Sequence, residues 1–96
     1  MAELSIQKVT ITGANQWTDP LDIEDRLYTI SIGGLSAGVG VVSLQRKRVK
    51  DVVWRDDDSF TSDLERNGEV VGKWQYRIGV KSGDYTSGTF LVEIGK

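Results

Sequence analysis

The strongest constraint on the fold is a strict alternation of apolar and polar residues in the last third of the chain. It runs through Lys73–Val80 and returns in residues 90–94. Side chains alternate across a strand, so each stretch predicts a strand with one apolar face. Residues 81–88 between them are rich in Gly, Ser and Asp, which favour turns. This third of the chain is therefore expected to form a β-hairpin.

Length and composition narrow the function classes. Ninety-six residues without a linker fit one domain, expected to span residues 1–96. The absence of Cys and His excludes disulfides, thiolate and imidazole chemistry and the usual zinc ligands. A net charge of −2, with both signs mixed, argues against a nucleic-acid partner. No apolar run approaches the roughly 20 residues of a membrane helix, and the start lacks a signal-peptide pattern, so no membrane partner is expected.

Short alternating segments and turn signals recur along the whole chain. Their spacing of about ten residues is typical of a sandwich or small barrel. The predicted fold is all-β, a single-domain antiparallel β-sandwich of roughly seven or eight strands, jelly-roll-like or Ig-like. The predicted core residues are Val9, Ile11, Tyr28, Ile30, Ile32, Val42, Leu44, Trp54, Trp74, Tyr76, Ile78, Val80, Phe90, Val92 and Ile94.

Three features of the N-terminal half carry local predictions. In residues 4–12 the alternation slips between Ile6 and Val9, which suggests a bulge or a bend. Residues 19–25 (DPLDIED) allow one helical turn, because Asp caps helices and Pro suits their first position. The glycine-rich residues 33–40 predict a turn.

The middle of the chain predicts strands joined by tight turns. Residues 39–48 are predicted to form a strand with Ser43 and Gln45 facing outward, and residues 49–55 a short strand around Val52 and Trp54. Asn67-Gly68 predicts a two-residue hairpin turn, since both residues tolerate positive φ.

The acidic run Asp56-Asp57-Asp58 is the first candidate for chemistry. Adjacent strand residues point to opposite faces, so three in a row converge on a cation only if the backbone turns. A solvated turn is the favoured interpretation, and polysaccharide hydrolysis by paired carboxylates is the enzymatic alternative. We predict no enzyme, no catalytic residue, no cofactor and no metal ligand.

Partner contacts are predicted at two places. Arg46, Arg48 and Lys50 share one face if their segment is a strand, where they either contact an acidic partner protein or protect an exposed edge. Trp17 lies in a polar connection and is the best candidate for an exposed aromatic ring that stacks on a sugar. The equal alternative is that Trp17 caps one end of the sandwich.

A longer pattern covers most of the chain. It runs from Leu-Gln-Arg through a Trp-containing segment and Ser-Phe-Thr to Tyr-Arg-Ile-Gly-Val-Lys-x-Gly-x-Tyr-x-Ser-Gly-Thr. The matching residues are 44–46, Trp54, 59–61, 76–81, Gly83, Tyr85 and 87–89, with 9–13 and Trp17 near the start. The pattern resembles that of small phage-encoded proteins. The chain departs from it after Arg46, where an Asp-Gly-Gly turn is replaced by residues 47–50.

The resemblance implies a β-rich virion protein with a structural role. A capsid decoration (cement) protein, bound to the major capsid protein or other virion proteins, is the expected function. A tail- or fibre-associated module that binds carbohydrate is the alternative. By analogy with decoration proteins, we expect a closed homo-oligomer, taken as a trimer, located in the virion after assembly in the host cytoplasm.

Overall fold

The computed structural model describes residues 5–96, which fold into β-strands and turns without a helix in that range. Eleven strands lie within these residues. The strands are β1 (Ile6–Ile11), β2 (Gln16–Trp17), β3 (Leu21–Glu24), β4 (Leu27–Gly33), β5 (Val39–Gly40), β6 (Val42–Lys47), β7 (Arg55–Phe60), β8 (Leu64–Glu69), β9 (Lys73–Val80), β10 (Tyr85–Ser87) and β11 (Phe90–Gly95).

The strands pair into three sheets within the described range. A four-stranded sheet has the order β1-β11-β4-β8, and a five-stranded sheet has the order β2-β9-β6-β7, with β3 also paired to β9. Strands β5 and β10 form a small third sheet. Every pairing is antiparallel. The all-β, antiparallel prediction is therefore confirmed, whereas a sandwich of seven or eight strands is not, because these eleven strands divide among three sheets.

The two larger sheets contribute their apolar faces to one hydrophobic core. Every predicted core residue is buried except Val9, Trp54 and Trp74. Val9 and Trp74 are partly buried and pack against the core, whereas Trp54 lies in a loop outside it. The buried hydrophobic residues that the alternation did not predict are Leu21, Ile23, Leu35, Phe60 and Val70.

The predicted C-terminal hairpin is wrong, although both of its strands exist. Strand β9 belongs to the five-stranded sheet and β11 to the four-stranded sheet. The chain turns at residues 81–84, where the Asp84 amide donates to the Lys81 carbonyl at 3.1 Å and Gly83 has a φ of 90°. Strand β10 then pairs with β5 and carries the chain across to the other sheet. The apolar faces of β9 and β11 both line the shared core, which explains the identical periodicity of the two strands.

Two N-terminal predictions are also corrected. Strand β1 pairs with β11 in unbroken register, so the slip between Ile6 and Val9 marks no bulge; Ile6 simply faces outward. Residues 21–24 form strand β3 on the edge of β9 instead of a helical turn. Leu4 lies outside the described residues.

The glycine-rich turn is confirmed: residues 34–38 form a turn between β4 and β5. The strand predicted over residues 49–55 is wrong, because β6 ends at Lys47 and residues 48–54 form a loop. The loop begins with a turn, in which the Asp51 amide donates to the Arg48 carbonyl at 3.0 Å.

Two segments predicted as turns are strands. Asn67 and Gly68 lie within β8, opposite Thr29 and Tyr28 of β4. The acidic run lies within β7, which pairs with β6.

Candidate functional site

A stack of tryptophan and basic side chains covers the outer face of the five-stranded sheet. It consists of Trp17, Arg77, Trp54 and Lys47 and is called the tryptophan–arginine stack below. The Arg77 guanidinium carbon lies 4.1 Å from the ring centroid of Trp17 and 4.6 Å from that of Trp54. The Lys47 ammonium lies 5.3 Å from the Trp54 centroid. Cation–π attraction and ring packing therefore hold the four side chains together.

Gly79 is the residue that lets Trp17 reach this stack. The two residues face each other across β2 and β9. A β-carbon on residue 79 would lie 2.7 Å from the Trp17 Cα and overlap the Gln16 carbonyl oxygen. The next residue, Thr18, fixes the edge, because its hydroxyl accepts from the Ile78 amide at 3.1 Å. Trp17 is thus a partly buried strand residue, not the exposed loop residue that was predicted.

A polar network anchors the stack to the sheet. Arg77 donates from Nε and Nη2 to Gln45 Oε1 at 2.9 and 2.8 Å, and Gln45 donates to Asp56 at 2.9 Å. Lys81 also donates to Asp56. Burial lowers the pKa of Arg77, whereas the hydrogen bonds from Lys81 and then Gln45 lower the pKa of Asp56. Gln45 lies on the outer face of the sheet, as predicted, and it is buried there because the stack covers it.

A second stack forms where β6 ends. The guanidinium carbons of Arg46 and Arg48 lie 4.2 and 4.0 Å from the ring centroid of Trp74. The indole of Trp74 donates to the Val71 carbonyl at 3.2 Å. The structure therefore brings together two predicted contact residues, Arg46 and Arg48, through a shared indole instead of a shared strand face. Lys50 is exposed in the turn after β6 and joins neither stack.

The acidic run is divided among three different cations. Asp56 pairs with Lys81, Asp57 with Arg46 at 3.5 Å, and Asp58 with Arg66 at 2.7 Å. A register shift in the β6–β7 ladder separates the three carboxylates further. Within residues 5–96 no group of three or more potential ligand side chains is placed to hold a metal ion.

The Asp58–Arg66 pair joins the edge strands of the two larger sheets, β7 and β8. Each charge favours the ionised form of the other. The hydrogen bond from Arg66 lowers the pKa of Asp58, and the same bond raises the pKa of Arg66. The Arg66 guanidinium also lies 4.9 Å from the Phe60 ring centroid. The pair therefore links the two larger sheets along the side of the core where β7 and β8 are their edge strands.

Residues 48–54, called the valine loop below, display apolar side chains to solvent. Val52 is 91% exposed and Val53 63%, and Val49 is also exposed. Residues 46–55 contain five of the chain's twelve basic residues and one of its fourteen acidic residues. That segment therefore carries +4, whereas the remainder of the chain carries −6. Sequence reasoning missed this feature by assigning the valines to a strand; the concentration of charge was the signal of an exposed loop.

The outward side of the four-stranded sheet is a second exposed surface, called the open face below. Its strands present Ile6, Leu27 and Leu91, which are 57–62% exposed. Acidic residues Glu65, Glu69 and Glu93 face the same way, as the pairing registers require. The sequence alone did not locate this face, because it depends on which four strands pair.

Two shallow depressions lie on the open face. One, of about 300 Å³, is lined by Ile6, Leu27, Thr29, Asn67 and Gly95 together with Tyr28 and Lys96. The other, of about 400 Å³, lies beside Leu91 between β1 and β11. Both are open to solvent, so they suit side chains of a macromolecular partner better than an enclosed small substrate.

Comparisons with protein-family models, with curated proteins and with solved structures find no match to this chain. No helix in the described part of the chain is long and apolar enough to cross a membrane.

Proposed function

We propose that this protein is a non-enzymatic capsid decoration protein of a phage virion, which binds the capsid lattice and stabilises the head. The observation that carries this proposal is the breadth of its exposed apolar surface. The open face presents Ile6, Leu27 and Leu91, and the valine loop presents Val52 and Val53, in each case beside charged side chains; exposed apolar patches commonly mark a protein contact. Repeated attachment to a lattice compensates for weak individual contacts.

The state of the acidic residues supports a non-enzymatic role. A general acid works best with a pKa raised towards the operating pH. Lys81 and Arg66 instead lower the pKa of Asp56 and Asp58. Both carboxylates therefore remain ionised and committed to ion pairs at neutral pH.

We further propose that the two larger sheets pack face to face as a two-layer β-sandwich. Two sheets with a common core pack about 10 Å apart. The molecule measures 38 × 28 × 17 Å, and its shortest dimension accommodates two such layers. The small β5–β10 sheet then serves as a connection between the layers.

Reconstitution on virus particles tests the decoration role. Purified protein is added to particles of the encoding phage that lack this chain, and bound protein and survival after heating or osmotic shock are measured. We expect saturable binding at a copy number that matches the capsid lattice, together with increased survival. Failure to bind, or a copy number matching a tail component, contradicts the proposal.

Trp17 separates the lattice role from carbohydrate binding. Because Arg77 already stacks on the Trp17 ring, Trp17→Ala should leave particle binding intact. Its matched control is Trp54→Ala, which removes the other indole that contacts Arg77. A protein that ignores particles, binds a glycan array and loses that binding specifically with Trp17→Ala is instead a fibre-type carbohydrate module.

A further inference from the structure

We propose that this chain associates head to tail, with the valine loop of one copy bound to the open face of a second copy. The proposal deepens the decoration role, because it names the surfaces that would build the expected homo-oligomer. Its test needs only the isolated protein, so its failure is distinguishable from a failure to bind particles.

The valine loop exposes the apolar side chains that would bind the second copy. Val52 is almost fully exposed at 91%, and Val53 beside it is 63% exposed. Two neighbouring segments support the loop: Arg48 stacks on Trp74, and Trp74 in turn donates to the Val71 carbonyl. A supported loop loses less conformational entropy on binding than a free one, which favours its use as a contact.

The open face contains a depression that would accept the valine side chains of a second copy. This depression of about 300 Å³ is lined by the aliphatic residues Ile6 and Leu27 and by Gly95, with Thr29, Asn67 and Lys96 adding polar groups. The aliphatic part of this lining suits one or two valine side chains. Leu27 is 62% exposed, so this apolar surface is open to a partner in the single chain.

Charge identifies a second copy as the occupant. The segment that contains the loop carries +4 and the rest of the chain −6. The outward side of the four-stranded sheet presents Glu65, Glu69 and Glu93 against Lys8. Lys96 also lines the depression, where its ammonium donates to the Asp22 carbonyl. Basic residues around the valines would thus meet the three acidic residues of the open face, which favours this orientation and disfavours loop-to-loop contact.

A contact between two different surfaces has a defined consequence for assembly. Each copy offers one loop and one face, so association continues until the rotation closes a ring or a chain grows. Such a contact also differs from a two-fold dimer in how two variants behave when they are mixed, one with an altered loop and the other with an altered face. The face variant keeps an intact loop and the loop variant keeps an intact face, so one copy of each can still form a single contact.

Sedimentation velocity of the full-length protein and its variants tests this arrangement. Wild-type protein should form oligomers at concentrations up to about 100 µM, and added salt of about 0.5 M should weaken them. Val52→Asp in the loop and Leu27→Asp on the face should each sediment as monomers. An equimolar mixture of the two variants should form a 1:1 heterodimer and nothing larger.

The matched control is Val39→Asp, since Val39 is also an exposed valine but lies in β5, which belongs to neither the valine loop nor the four-stranded sheet. This variant should assemble like the wild type, and far-UV circular dichroism should show all three variants folded. A monomeric wild type, wild-type assembly by Val52→Asp, or a mixture that stays monomeric each overturns the inference. If monomeric protein binds particles through the loop, the loop's partner is the capsid lattice and the inference is likewise wrong.

Discussion

The ring of Tyr28 lies over the backbone of Gly68, in the space that a β-carbon on residue 68 would occupy. Tyr28 cannot move away freely, because it is buried and its ring centroid lies 5.3 Å from that of Tyr76. We therefore expect Gly68→Ala to lower the free energy of unfolding by about 1–3 kcal/mol, the usual cost of overpacking a filled core. Urea denaturation at neutral pH measures this change.

Gly33 provides the matched control for Gly68. It lies at the end of β4 in the same sheet, and a β-carbon there would meet no atom of residues 5–96 within 4 Å. Gly33→Ala should leave stability unchanged or raise it by up to about 1 kcal/mol, because alanine restricts the unfolded chain. Equal effects of the two substitutions would show that Tyr28 does not fill the space over Gly68.

Removing Arg77 should destabilise the protein by about 2 kcal/mol. Arg77→Ala takes the guanidinium from between two indoles and leaves Gln45 Oε1, which is buried, without its donor. Arg77→Lys should be more stable than Arg77→Ala but less stable than the wild type, since an ammonium lacks the planar guanidinium that stacks on indoles and donates two parallel hydrogen bonds. Chemical denaturation gives the stabilities, and tryptophan emission should shift to longer wavelength as the indoles meet water.

The control for Arg77 is Arg55→Ala, which removes an exposed arginine of β7. It should change stability by less than about 0.5 kcal/mol. If Arg77→Ala is equally mild, the tryptophan–arginine stack contributes little to folding.

Period-two alternation predicted the core where strands have one apolar face. Tyr28, Ile30 and Ile32 alternate along β4, and all three are buried as expected. Such a pattern reports which side of a strand is buried but not which strand lies beside it. For that reason β9 and β11 were predicted correctly as strands and wrongly as partners.

The surfaces depend on pairings that a sequence does not display. Arg77 faces Gln45 only because β6 and β9 pair in one particular register. Asn67-Gly68 matched a common turn, yet its glycine serves the approach of Tyr28 from another strand. Val52 matched a strand, but the strand ends before it and leaves it in a loop. In each case a contact between distant residues overrides the local preference.

Ile78 tests the position of the core directly. It is fully buried in β9, opposite Leu44 of β6. Ile78→Ala should lower the free energy of unfolding by about 2–5 kcal/mol, through lost burial and the cavity that remains. Val53→Ala, at an exposed loop position, should cost less than about 0.5 kcal/mol. An Ile78→Ala loss below about 1 kcal/mol would place this side chain outside the packed core.

Acid should weaken the fold through the ion pairs of β7. The pKa values of Asp56 and Asp58 are lowered in the folded protein by Lys81 and Arg66, from an unfolded value near 4. Near and below about pH 4 the unfolded chain therefore binds more protons than the folded one. Stability from these pairs should be complete above about pH 5 and decline as pH falls through 4 towards the lowered values.

The variant Asp58→Asn isolates one of these pairs. It should cost about 0.5–1 kcal/mol or less at pH 7, because solvent screens an exposed pair, and it should flatten the fall of stability between about pH 5 and pH 3. Asp19→Asn, which removes an exposed carboxylate outside the three ion pairs, is the control and should keep the wild-type slope. Urea midpoints measured at several pH values give the slopes. A wild-type slope in Asp58→Asn would mean that the link between β7 and β8 does not contribute to acid sensitivity.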